Sequence, residues 1–236
     1  MSTESATLAP EALAGMELFL GLPPSALAAV MACARVRHLA KDTTVFRQGD
    51  PAERCHALIE GRVRITQSND DGAQLVVRFI GRGEIFGTVA LFTDHKYPAE
   101  AVTVVGSIEI SWTEAALLDL TGRYPQIALN IVKIVGSRLR EVQERLRELA
   151  TQRVECRIAH VLLRLAAQAG QAAGDGTTID FPLTRKDVAE MCGATLHTAS
   201  RILTAWEKAE LITTRRQSVT IRKLAEIRRI AGDPPH

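Results

Sequence analysis

An uninterrupted run from Gln126 to Ala150 contains no proline and a single glycine, Gly136. As a helix it is roughly 38 Å long at about 1.5 Å per residue. Its apolar residues Ala128, Val132, Val135, Leu139, Val142, Leu146 and Leu149 are spaced alternately by four and three, the a/d pattern of a two-stranded coiled coil. Arg138, Arg140, Glu141, Glu144, Arg145, Arg147 and Glu148 lie between them, so the rest of the surface faces water. The stripe is narrower than globular packing uses. It predicts a dimerisation helix with Val132, Val135, Leu139, Val142, Leu146 and Leu149 in the seam; the alternative is a helix packed on its own domain. The helix divides the chain into three expected regions: residues 1–125 an effector-sensing domain, 126–150 the dimerisation helix and 151–236 a third domain.

The first region reads as β structure. From Thr43 to Trp112, apolar runs of four to six residues are cut at Gly49-Asp50, Glu60-Gly61, Asn69 to Gly72, Gly81-Arg82-Gly83 and Gly106-Ser107. Short strands at even spacing predict a barrel or jelly roll. Before it, Ala12 to Cys33 reads as short helices around Pro23-Pro24, with Ser25 the expected cap of a segment starting at Ala26.

The third region carries the decisive pattern. After an expected helix from Thr151 to Gln171, a loop at Ala173 to Gly176 and a short strand ending at Phe181-Pro182, residues 183–212 read LTRKDVAEMCGATLHTASRILTAWEKAELI. A helix capped by Thr184 turns Val188 and Ala189 inward. A tight turn comes next at Cys192-Gly193, and a second helix from Thr195 or Leu196 buries Ala199, Ile202, Leu203 and Trp206. The small Ala189, the glycine four residues on and the buried positions after it have helix-turn-helix spacing. The other face carries His197, Thr198, Ser200, Arg201 and Thr204, short polar groups beside an arginine that can bind guanine O6 and N7 in a major groove. LITTRRQSVTIRKL then reads as two strands around a basic turn, with Arg215 and Arg216 placed to touch the backbone as a wing. The alternative is a plain helical hairpin.

Charge obeys the same division. Residues 1–125 hold 11 basic and 15 acidic side chains, residues 126–150 hold 5 and 3, and residues 151–236 hold 13 and 9, so the basic excess sits at the end expected to face nucleic acid. No window has the 18 or so uncharged apolar residues of a membrane span, and the N-terminus has no basic start with an apolar core behind it, so a cytoplasmic protein without a membrane partner is expected. Cys33, Cys55, Cys156 and Cys192 are scattered without a CxxC and read as thiols. No HxH of the metal-dependent barrel oxygenases, Walker GxxxxGK, GxSxG or HExxH occurs, so no catalytic residue is assigned and an enzyme is not expected. A rival class is an effector domain whose C-terminal module contacts protein.

The segments FRQGD (Phe46 to Asp50), EGRVRI (Glu60 to Ile65), GRGEIFG (Gly81 to Gly87), the long helix and LTRKDVAEMCGATLHTASRIL resemble the cyclic-AMP receptor protein/fumarate-nitrate regulator (CRP/FNR) family over nearly the whole chain. The resemblance implies an α+β fold with an N-terminal β-roll (a jelly roll like cyclic-nucleotide-binding domains), a dimerisation helix and a C-terminal winged helix-turn-helix. It implies a homodimeric transcription regulator on an inverted repeat of double-stranded DNA, with RNA polymerase as partner and a small effector in the β-roll. By position, Arg201 is similar to the arginine that reads guanine, Ser200 to the serine preceding it in the fumarate-nitrate branch, and Thr184, Arg185 and Thr198 to phosphate-contacting positions.

The effector is read from departures. Gly87, Thr88 and Val89 fall in the effector pocket, but Thr88 stands where cyclic-AMP binders carry a glutamate, and no Arg or Lys lies between Tyr97 and Ile110 to hold a cyclic phosphate. Arg82 and Lys96 are displaced from that position, so cyclic AMP is not the expected ligand. No cysteine precedes Cys33, which removes the iron-sulfur cluster of the oxygen-sensing branch. His197, where many members have glutamate, resembles the nitric-oxide-responsive Nnr/Dnr-like branch, some of which use haem. The cofactor and any metal stay open: axial candidates are His38, Cys55, His56, His95 and the pair Cys156/His160. A cyclic-nucleotide-responsive or constitutive regulator is the alternative.

Overall fold

The computed structural model describes residues 8–91, 93–174, 176–215 and 217–232. The chain divides into two compact units, residues 1–63 with 80–139, and residues 64–79 with 140–236. The division thus falls inside the long helix, and it groups one β-hairpin with the C-terminal part of the chain.

In the first unit a single 3-10 turn at Pro10–Leu13 precedes helix α1, Pro24–Ala32. Pro23 occupies its N-cap position and Pro24 its first turn, with no side-chain cap. Ser25 therefore lies inside the helix and does not cap it; proline's fixed φ sets the start instead. Strands β1 (Arg35–Leu39), β2 (Thr44–Phe46), β3 (Arg54–Glu60), β6 (Ile85–Phe86), β7 (Glu100–Thr103) and β8 (Ser107–Thr113) belong to this unit, with the one-turn helix α2, Thr88–Leu91, after β6. One antiparallel sheet has the order β1-β8-β3-β6, and β2 pairs with β7.

Strand β1 lies ahead of the β region read from the sequence. Its alternation RVRHL mixes charge with only two apolar residues, and its pairing is with β8, about seventy residues away. The core side of this sheet presents Cys55, Ala57, Ile110 and Trp112, all nearly inaccessible. Trp112 Nε1 donates to the Val30 carbonyl (2.9 Å), tying the sheet to α1. Helix α3, Glu114–Arg123, is capped by Thr113, which accepts from Ala116 N. Helix α4 then runs unbroken over Gln126–Thr151.

The second unit contains the neighbouring strands β4 (Val63–Ser68, from Arg64 on) and β5 (Gln74–Ile80, to Phe79). It continues with helix α5, Val154–Ala169, then β9 (Gly170–Ala173) and β10 (Gly176–Ile179), helices α6 (Arg185–Cys192) and α7 (Leu196–Lys208), β11 (Ile212–Arg215), β12 (Ser218–Ile221) and helix α8 (Leu224–Ala231). Its sheet has the order β11-β12-β10-β9. The single strand expected before Phe181-Pro182 is thus a hairpin, and α8, whose Ile227 and Ala231 are buried, closes the module. Asp175, in the turn between β9 and β10, lies outside the described residues, as does Arg216 in the wing. Among the described residues no helix is long and apolar enough to cross a membrane.

Candidate nucleic-acid interface

Helix α6 starts with reciprocal capping. Asp187 N donates to Thr184 Oγ1 (3.0 Å) while Thr184 N donates to Asp187 Oδ2 (2.8 Å), so two amides with no partner inside the helix are satisfied at once. Asp187 is buried, and its other oxygen accepts from Arg64 Nη1 of β4 at 2.9 Å. The helix ends at Gly193 with φ +62°, a left-handed residue that favours glycine. Arg157 Nε donates to the Cys192 carbonyl there (2.8 Å), filling an acceptor the helix leaves open.

Helix α7 is capped by Thr195, which accepts from Thr198 N (3.2 Å). Ala199, Leu203 and Trp206 are buried, and Trp206 Nε1 donates to Glu155 Oε1 (3.0 Å). These contacts fix the rotation of α7. Ile202 is only half-buried, a correction to the expected buried pair: it lies at the edge of the apolar stripe that Ala199, Leu203 and Trp206 define.

The opposite side of α7 is polar and open. His197 and Arg201 are exposed, Thr198 and Ser200 half-buried. A shallow concavity of about 430 Å³ is lined by His197, Ser200, Arg201, Thr204, Ala205 and Lys208. Among the described residues the Arg201 side chain has no hydrogen-bond or ion-pair partner, leaving its planar fork available. Lys208 joins this face without having been singled out in the sequence; the helical spacing from His197 through Arg201 and Thr204 is the signal that places it there.

Arg185 is placed differently from a free phosphate ligand. Its guanidinium donates to the Ser200 carbonyl (3.1 Å), Thr204 Oγ1 (2.7 Å) and Glu207 Oε2 (2.8 Å), bracing α6 against α7. Thr184 is half-buried and used in the cap. Arg215 is exposed at the end of β11, next to the turn that carries Gln217 at φ +67°.

The six seam residues of α4 are all open: Val132 69%, Val135 50%, Leu139 58%, Val142 59%, Leu146 66% and Leu149 51% exposed. Isolated exposed aliphatics are ordinary, but a continuous stripe is not.

In the β-rich unit, Gly87 has φ +73°, and a Cβ there would meet Tyr97 Cε1 at 3.0 Å, His56 Cδ2 at 3.2 Å and Phe46 Cε1 at 3.4 Å. Thr88 is buried with its hydroxyl unpartnered, while Val89 is exposed. Among the haem candidates, His56 and Cys55 do not fit an axial ligand. His56 has both ring nitrogens engaged, with Glu109 Oε1 (2.5 Å) and Tyr97 Oη (3.1 Å). Burial pushes the Cys55 thiol up to about 12, far from a thiolate. His38 and His95 are exposed, and His160 Nε2 meets the Gln152 amide at 3.2 Å beside a half-buried Cys156.

Residues 36–124 match the family model of the cyclic nucleotide-binding domain, and residues 156–230 that of the Crp-like helix-turn-helix domain. The chain is 28% identical over 193 residues to the CRP-like cAMP-activated global transcriptional regulator of Mycobacterium tuberculosis, covering 82% of this chain and 86% of that protein. It is 29% identical over 189 residues to the global nitrogen regulator of a Nostoc species, covering 78% and 83%. Among solved structures it resembles the c-di-GMP responsive global regulator CLP of Xanthomonas campestris, with a TM-score of 0.73 and 25% identity over 84% of this chain and 99% of that one. With the polar face of α7, the strand pair after it and the β-rich unit ahead of α4, the chain belongs to the CRP/FNR family of DNA-binding transcription regulators.

Proposed function

We propose that the chain acts as a homodimer paired along α4, placing its two α7 helices in successive major grooves of an inverted repeat and answering to a small effector other than cyclic AMP. The observation that carries this reading is the exposed six-residue apolar seam on one continuous helix. Two α7 helices about 34 Å apart would meet the same face of the duplex one turn apart. Arg201 then reads guanine, with His197, Ser200 and Thr198 on neighbouring bases and phosphates. Arg215 and Arg216 contact the backbone, and RNA polymerase is the protein partner of the DNA-bound dimer.

The route from effector to helix uses contacts inside the β-rich unit. Glu17 Oε1 accepts from Ile85 N (2.9 Å), and Glu17 N donates to the Gly83 carbonyl (3.1 Å). Arg138 of α4 lies 3.3 Å from Glu17 and 3.9 Å from Glu84. A change in the Gly83 to Gly87 turn thus bears directly on α4, and effector and operator are linked reciprocally. Equal operator affinity with and without effector would leave a constitutive regulator.

Fluorescence anisotropy on an operator duplex tests the reading. Arg201→Ala is expected to lose about 1–3 kcal/mol of specific binding through the missing guanine contact; undiminished binding removes α7 as the reading helix. Nitric oxide sensed through haem is checked by absorbance of the purified protein with added haem, where a Soret band answering to the gas would reinstate it.

A further inference from the structure

The β1-β8-β3 sheet has a second face that the regulatory reading does not use. Register places Arg35 opposite Ser111 and Arg37 opposite Glu109 on β1 and β8, and His56 of β3 opposite the same Ser111. Arg54, two residues before His56, shares that face and donates from Nε to Ser111 Oγ (3.0 Å) and from Nη2 to the Ser111 carbonyl (2.8 Å). Phe46 and Tyr97 stand over it as a stacked pair, ring centroids 3.7 Å apart and 9° from parallel. Between sheet and rings lies a cleft of about 210 Å³ lined by Arg35, Arg37, Arg54, Phe46, His56 and Tyr97.

The cleft lining sets the guanidiniums of Arg35, Arg37 and Arg54 against the carboxylates of Asp50 and Glu53. Three guanidiniums on one face of the sheet, two from β1 and one from β3 on either side of β8, repel one another. Among the described residues the only carboxylate on the sheet face is Glu109, fully buried, and both its oxygens are used, by Arg37 Nε (2.7 Å) and His56 Nδ1 (2.5 Å). Arg54 keeps Nη1 uncommitted, and the exposed Arg35 side chain has no partner among the described residues. Asp50 and Glu53, both exposed, also line the cleft, and Asp50 accepts from Arg47 N (2.9 Å). Tyr97 Oη donates to the Arg54 carbonyl (2.8 Å) and meets His56 Nε2 (3.1 Å), so its hydroxyl is spent on the protein.

We propose that this cleft binds a small monocarboxylate with a compact apolar or aromatic body, its carboxylate on Arg35 and Arg54 and its body against the Phe46–Tyr97 pair. A planar carboxylate matches guanidinium forks bidentately. The volume is below the 300 Å³ or so at which pockets for drug-sized ligands begin and suits a small ligand, and the carboxylates of Asp50 and Glu53 oppose a second negative charge. None of Gly87, Thr88 and Val89 lines the cleft, although Gly87 lies against three of its rings.

The full chain titrated with sodium benzoate and sodium butyrate, monitored by calorimetry and thermal midpoint without DNA, tests this. Saturable binding at millimolar or lower concentration is expected, with a rise in midpoint by mass action. Benzamide, the neutral isostere, is expected to give no saturable heat. Arg35→Ala should weaken carboxylate binding about tenfold or more by removing a charge-assisted contact while leaving the unliganded midpoint in place, and Arg82→Ala, an exposed arginine elsewhere in the unit, should change nothing. Absence of a saturable signal from both carboxylates, equal affinity in Arg35→Ala, equal loss in Arg82→Ala, or tighter binding of benzamide or inorganic phosphate than of benzoate would overturn the assignment. DNA binding plays no part in these measurements, so their outcome is separate from that of the regulatory reading.

Discussion

Replacing Leu139 tests the dimer seam at its middle. Fully burying a Val or Leu side chain is worth about 1.5–3 kcal/mol. With 50–69% of each seam residue still open, pairing two helices would add half to two-thirds of the middle of that range, about 1–1.5 kcal/mol per side chain. Six residues from each of two copies then contribute about 12–18 kcal/mol against an association cost of about 4–15 kcal/mol. The margin is small enough for one position to matter. In a symmetric pair each substitution counts twice, so Leu139→Ala should lose about 2–3 kcal/mol, roughly 30- to 150-fold in the dimer dissociation constant. Leu139→Asp also brings two like charges together in the closing seam, away from water, and should be monomeric at micromolar concentration with operator binding lost. Sedimentation equilibrium over a concentration series reads this directly. Leu118 of α3 is 52% exposed but outside the seam, so Leu118→Asp is the control and should keep the wild-type association. A Leu139→Asp dimer as tight as wild type, or equal dissociation of both variants, would refute the argument.

Arg215→Ala should weaken binding to all duplex sequences alike and lower the slope of log affinity against log salt by about 0.9, one phosphate contact; an unchanged slope removes the wing contact. Gly87→Ala should destabilise the protein by about 1–3 kcal/mol in urea unfolding, because alanine must take φ +73° and its methyl meets Tyr97, His56 and Phe46; an unchanged midpoint would show that the turn relaxes freely. The buried pair sets an acid limit on stability. Burial pushes His56 below its ordinary 6.5 against the pull of Glu109; burial raises Glu109, but hydrogen bonds from His56 and Arg37 outweigh it and hold the carboxyl below its ordinary 4.5. In both cases the folded chain binds fewer protons than the unfolded one. Stability is therefore complete above about pH 6.5, falls as the unfolded histidine takes its proton, and falls again below about 4.5 as Glu109 is protonated. Thermal midpoints should drop over that range, and Glu109→Gln should flatten the lower part; an unaltered profile in that variant would place the acid sensitivity elsewhere.

The residues legible in the sequence are those whose burial obeys a local period. The alternation of four and three from Val132 to Leu149 defines the α4 seam, and the structure leaves all six side chains open along one helix. Thr184, Gly193 and Thr195 act within three or four residues of themselves, so the start, turn and restart of the helix pair can be read from spacing alone. The basic turn between β11 and β12 is legible for the same reason: strand alternation and turn residues are adjacent in the chain.

Other features depend on partners far apart along the chain. Arg185 has the sequence context of a phosphate contact, yet Ser200, Thr204 and Glu207 on the facing helix take its donors. Strand β1 carries too much charge to announce itself, and becomes a strand because β8 supplies its ladder. The hairpin of β4 and β5 joins the C-terminal unit through pairs such as Arg64 with Asp187, separated by 123 residues. The Arg35, Arg54 and His56 cleft is assembled by register across three strands. A side chain's period along its own element reveals which face it occupies, but its charge partner is chosen by the fold, since electrostatics and hydrogen bonding act through space and not along the sequence.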